Sequence, residues 1–271
     1  MAAERRSFNV GRRVTVTASE DVTEQVAAAV ARVFGAAKGR PRASASSERL
    51  SADRIVEVAV AQMREHGYDA VTMRSIAREL DTGPASLYAH VANRAELDQL
   101  VVGWVCSQWH IPDPDPEHWD EQLRTCLIEM LEIYRANPGV ARCTLGMVPL
   151  QPGLLLVVER LVALLKAGGV VDQHCAWFTD VSSLYVASVA VEEDIWREHL
   201  GGPGAAASAR DAEAAEEAAI EQVRQVFESL PHEHFPLLSS MAATMTQGSP
   251  DERFAFGVDL LVGGLKAMSG R

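Results

Sequence analysis

From residue 50 onward, apolar residues return every three to four positions, and that period predicts a chain built almost wholly of helices. The first runs from Ser51 to about His66. Ser51 is a good N-cap, Asp53 suits the first turn, and Ile55, Val58, Ala59 and Met63 share one face with Gln62 as its single polar member. Gly67 supplies a left-handed stop. Thr72 caps a second helix with Ile76, Ala77 and Leu80 turned inward, and Asp81-Thr82-Gly83 makes a tight turn. Gly83 then acts as N-cap for a third helix whose first residue, Pro84, is preset in φ and has no N–H to leave unpaired. Leu87 and Val91 face the core, which leaves Ser86, Tyr88 and His90 facing outward. Asn93 with Glu96 forms a near capping box and starts a fourth helix through about Trp109.

A PDPDP stop at 112–116 separates these elements from further helices at about 117–136, 138–146, 152–167 and 171–199. A Gly/Ala-rich loop at 200–211 follows, then a helix near 212–229, a short piece near 235–245 and a final helix from Asp251 to Met268. Before residue 50 the pattern differs. Arg12–Thr17 alternates as a short strand, Thr23–Phe34 reads as an amphipathic helix, and 38–49 reads as a flexible basic linker. The fold class expected is all-α.

The stretch Thr72–Val91, TMRSIARELDTGPASLYAHV, has the order of a helix-turn-helix, the unit that lays its second helix in the DNA major groove. The formal charge of -12 argues against a nucleic-acid partner only until its distribution is read. Residues 1–49 hold nine Lys/Arg against five acids and residues 50–105 five against eight, so the rest of the chain carries -13. Acidity concentrates away from the N-terminal end, as expected where one end meets phosphates and the other avoids them. The linker's GRPR is readable either as a minor-groove arm or as a solvated charge run.

Other chemistry finds little footing. The four cysteines, Cys106, Cys126, Cys143 and Cys175, are widely spaced in apolar helical surroundings, as buried free thiols are. His118 with Glu121, and His232 with His234, lack a third ligand, so no metal or other cofactor is expected. There is no nucleophile elbow, P-loop, GxGxxG or HExxH, and an enzyme is not expected. Neither a signal peptide nor an apolar run of membrane-spanning length is found, so the expected location is cytoplasmic.

The segment LSADRIVEVAVAQMREHGYDAVTMRSIARELDTGPASLYAHVANRAELDQLV resembles the DNA-binding head of the TetR family of one-component regulators. The segments PGVARCTLGMVP and FAFGVDLLVGGLKAM are similar to that family's tetracycline-repressor branch. The resemblance covers roughly 45–271, says nothing about 1–37, and implies a helix-turn-helix domain over 49–96 and a ligand-binding and dimerisation domain over 97–271; residues 1–48 read as an N-terminal extension and basic linker. One departure is Asp81, where the turn usually has Gly; Asp tolerates the left-handed region better than most residues.

The resemblance implies a ligand-responsive repressor, a homodimer on a palindromic double-stranded DNA operator, released by a small apolar effector. It places Pro84, Ala85, Ser86, Tyr88, Ala89 and His90 on the recognition helix. Ser86 and His90 can bond base edges or phosphate, Ala85 and Ala89 can touch a thymine methyl, and Tyr88 can bond a phosphate. Arg74 is the guanine or phosphate candidate, and Thr72 and Arg94 sit at helix starts where phosphate is favoured. The implied effector pocket is lined by Trp109, Met130, Tyr134, Met147, Trp177, Phe178 and Ser182. The implied dimer seam uses Phe256, Gly257, Leu260, Leu261 and Gly264 from the final helix, packed with the 171–199 helix and their copies. Family members that bind magnesium-tetracycline carry histidines where Trp109 and Thr144 stand here, so that effector is not expected. The rival reading is a ligand-sequestering protein without sequence-specific DNA binding, to which the -3 charge of residues 50–105 lends weight.

Overall fold

The computed structural model describes residues 50–148, 150–201 and 209–269. The expected strand at 12–17, the helix at 23–34, the linker at 38–49 and most of the loop at 200–211 lie outside the described residues. Among those described, every regular element is helical, as the periodicity predicts.

Three helices build the head. Helix α1 spans Ala52–His66, and the Ser51 hydroxyl accepts from the Arg54 N–H at 3.2 Å. Gly67 ends it with φ 80° and ψ 167°, an extended positive-φ conformation rather than the left-handed helical one expected. That region is essentially restricted to glycine. A 3-10 turn, Tyr68–Ala70, leads to α2, Met73–Glu79, and α3, Pro84–Leu87, follows with Gly83 as N-cap. Asp81 takes φ 48°, the conformation its place in the turn demands. Ile55, Met63, Ile76, Leu87 and Val91 are fully buried and hold the three helices together, while Leu80 is only partly covered.

Helix α4, Arg94–Cys106, joins head to body, packing on α1 behind it and on α6 and α7 ahead. It stops three residues short of the expected end, and Trp109 lies in the segment beyond. The body continues with α5 (Trp119–Arg135), α6 (Val140–Thr144), α7 (Pro152–Ala167) and α8 (Asp172–Gly201). After it come α9 (Ala209–Glu228), α10 (Pro236–Ser240), α11 (Ala242–Met245) and α12 (Pro250–Ser269). Helix α5 is central, packed on α7, α8 and α12, with Leu123, Leu127 and Leu131 buried along it. Ion pairs reinforce the packing: Lys266 to Asp120 at 2.5 Å, Arg124 to Asp259 at 2.6 Å, and Arg135 to both Glu193 and Asp251 at 2.7 Å. All four cysteines are free and buried, and burial pushes the Cys106 thiol up to about 12.

Candidate nucleic-acid interface

The head presents its polar side chains because α2 and α3 are clamped from behind. The Thr72 hydroxyl accepts from the Ser75 N–H at 3.0 Å, and the Ser75 hydroxyl accepts from the Thr72 N–H at 2.8 Å, a reciprocal cap. Gln62, the polar residue on the buried face of α1, accepts from the Ser75 hydroxyl at 2.8 Å and donates to the Ser75 carbonyl at 3.2 Å. The polar exception in the apolar stripe therefore fixes where α2 begins. In the turn, the Thr82 N–H reaches the Ala77 carbonyl at 2.9 Å, and the Ser86 N–H bonds the Gly83 carbonyl at 2.9 Å.

With Leu87 and Val91 sunk in the core, Pro84, Ala85, Ser86, Ala89 and His90 are exposed, and Tyr88 is 53% exposed; α3 ends at Leu87, so Tyr88, Ala89 and His90 lie in the turn after it rather than on the helix as expected. A tyrosine so open on a short helix has little packing reason to be there. Thr72 and Arg74 are exposed at the start of α2, and Arg74 makes no ion pair among the described residues. The structure thus presents eight of the nine expected residues to solvent.

Arg94 is the exception. Its guanidinium turns inward and lies over the Tyr68 ring, 4.3 Å from the ring centre. It bonds Asp98 at 2.7 Å and donates to the Val71 and Tyr68 carbonyls. Tyr68 completes the cluster by donating to Asp98 at 2.9 Å, and burial together with that bond pushes its phenol up to about 12. The Arg94 side chain is a strut between the 3-10 turn and α4, with its charge already matched by Asp98, which leaves the backbone at the start of α4 as the part of Arg94 that the sequence reading offers to a phosphate.

In the body, Trp109, Met130, Tyr134, Phe178 and Ser182 are buried and Met147 is partly so. Burial, with Cys106 close by, pushes the Tyr134 phenol up. The Trp109 indole N–H is buried without a partner among the described residues. Trp177 corrects the expectation: it is 61% exposed, on a face of α8 shared with exposed Val181 and Leu184. The adjacent Phe178 is the one that faces in, since consecutive helical residues point about 100° apart. An open cleft of about 770 Å³ runs along the outer side of α8 between Leu145, Val191, Ile195 and Trp196. None of the expected pocket residues lines it.

Exposed Trp177, Val181, Leu184 and Ile195 of α8, with half-buried Val191, form a stripe that keeps a four-three spacing through Ser188. That is the repeat of a helix seam. On α12, Phe256 and Leu260 are 66% and 60% exposed, Gly264 is open, and Leu261 is half-buried. Gly257 also has a role inside the chain. A Cβ there would stand 2.0 Å from the Tyr185 hydroxyl, whose ring stacks on Phe254 with centroids 5.5 Å apart.

Comparison with known proteins agrees with this layout. Residues 55–98 match the family described as bacterial regulatory proteins, tetR family, and residues 111–269 match the tetracyclin repressor-like C-terminal domain. Apo ActR from Streptomyces coelicolor superposes with a TM-score of 0.71 at 33% identity, covering 82% of this chain and all of that one. The same protein in complex with actinorhodin gives 0.71 at 34%, with the same coverage. The HTH-type transcriptional repressor DrrR1 of Streptomyces coeruleorubidus is 26% identical over 231 residues, 85% of this chain and 82% of its own. The fold and site define an all-α helix-turn-helix regulator. The chain belongs to the tetR family of bacterial regulatory proteins.

Proposed function

We propose that the protein is a homodimeric repressor that reads a palindromic operator and leaves it when a small apolar molecule enters the body. The observation that carries this is the pairing of two exposed faces of opposite character: polar and aromatic side chains on α3 and the turn after it, and an apolar seam on α8 and α12. Side chains such as Tyr88 and Arg74 suit a phosphate-lined groove, and a seam of exposed Phe256, Leu260 and Trp177 suits a second copy. One head per chain and a two-fold seam match a palindrome.

The effector is a small apolar molecule held among Trp109, Met130, Tyr134 and Phe178, with Met147 and Ser182 beside them. Support comes from the apolar character of these buried side chains and from a neighbour of the same fold that is in complex with actinorhodin. The protein acts in the cytoplasm, without a cofactor, as a binding protein and not an enzyme.

The test is selection of bound duplexes from a random pool at near-physiological salt. Recovery of a palindrome, lost on Tyr88→Ala with Arg74→Ala, is the expected result. Recovery of no sequence would favour the ligand-sequestering reading.

A further inference from the structure

Burying a polar or charged group is costly unless it is matched, so such groups mark where a fold specifies a position. Among the described residues three polar side chains are buried: Asn137, Ser182 and Asp194. Two of them meet at the turn 137–139: Asn137 lies in it and Asp194 bonds it from α8. Asp194, 7% exposed on α8, accepts from the Gly139 N–H at 2.7 Å and from Arg197 at 2.6 Å. Asn137 donates to the Ile133 carbonyl at 2.7 Å and accepts from Arg64, on α1 of the head, at 2.5 Å.

The turn touches the head at two further points. Gly139, with φ 84°, lies so close to the 3-10 turn that a Cβ would stand 3.2 Å from the Tyr68 amide nitrogen. On α6, Arg142 reaches Asp69 of the head at 3.1 Å and Glu198 of α8 at 3.6 Å. Residues 137–142 are therefore held by the head on one side and by α8 on the other. Helix α8 also carries the apolar seam.

We propose that this joint sets the angle between each head and α8, and so the distance between the two recognition helices of the dimer. Asn137 and Asp194 would then be positioning residues for operator spacing. They touch no DNA, yet they decide how far apart two half-sites stand. The inference rests on the homodimer and palindrome proposed above. A loosened joint lets each head swing, which broadens the spacings tolerated without altering the bases preferred.

The experiment uses the full-length protein and three labelled duplexes: the selected operator, and the same half-sites with one base pair added to or removed from the centre. Fluorescence anisotropy gives the affinity for each. The unaltered protein is expected to prefer the natural spacing by about tenfold or more. Asp194→Asn keeps the shape but weakens the grip on Gly139. Arg64→Ala frees Asn137 from an exposed position that leaves no cavity, so it should fold even if the first variant does not. Each is expected to shrink the preference by about fivefold, with half-site base preference unchanged. Equal weakening on all three duplexes would mean the joint contributes stability alone and would overturn the proposal. So would unaltered spacing discrimination in both variants, which leaves the palindrome-reading dimer intact. Failure of the unaltered protein to bind any of the duplexes would instead overturn the dimeric operator reading itself.

Discussion

The head and the body each leave a large face open to water, and the two faces differ in what they need. The outward side of α3 and of the turn after it carries Ser86, Tyr88 and His90, which water satisfies and which cost nothing while idle. The outward side of α8 and α12 carries Trp177, Leu184, Phe256 and Leu260, which water does not satisfy. A polar face waits for a ligand that comes and goes; an apolar seam of helical spacing calls for a standing partner. On the function proposed above, the contrast pairs a short helix that meets DNA only when needed with a long helix that packs on a second copy.

The head depends most heavily on the single buried apolar residue of α3. Leu87 is fully buried, so Leu87→Ala is expected to destabilise the head by about 2–5 kcal/mol. Thermal unfolding followed by circular dichroism should show an early loss of the head, while sedimentation should still find two chains together. Next in size, Phe256→Glu with Leu260→Glu puts charge on the seam. Sedimentation should then give single chains with full helix content, and operator affinity should fall about 100-fold, or ~3 kcal/mol.

A smaller effect sharpens the head's side of the contrast. Thr72→Ala removes a cap that the structure shows to be reciprocal and is expected to cost about 1 kcal/mol in chemical denaturation. Arg74→Ala should lower the slope of log affinity against log salt by about one, read from binding at several salt concentrations. The smallest effect concerns the strut. The Tyr68 phenol has its pKa raised from 10.0 to about 12 in the fold, so folding favours the protonated form. Its contribution to stability is complete below about pH 10 and is lost as pH rises towards 12. Tyr68→Phe should flatten that alkaline loss in a pH series of urea melts.

Much of this was legible in the sequence wherever local chemistry decides the outcome. Ser51, Thr72 and Asn93 each accept from the N–H three residues on, and Gly83-Pro84 opens α3 as its composition demands. The outward turn of Tyr88 followed from the inward turn of Leu87. What was not legible depends on distant partners. Arg94 looks like any arginine at a helix start until Tyr68 and Asp98 are seen to surround it. Trp177 and Phe178 are neighbouring aromatics, and only the packing of α8 on α5 and α7 decides which is buried. Gly257 reads as a seam glycine until Tyr185 fills the space above it. Asn137 and Asp194 carry no motif at all, because their roles arise from residues more than fifty positions away.

The most direct test of the central claim, that a paired apolar seam delivers two polar heads to one palindrome, is the mass of the protein–operator complex by multi-angle light scattering. The account predicts two chains on the full operator, and two chains again on a duplex carrying a single half-site, with weaker affinity. One chain on either duplex would contradict it.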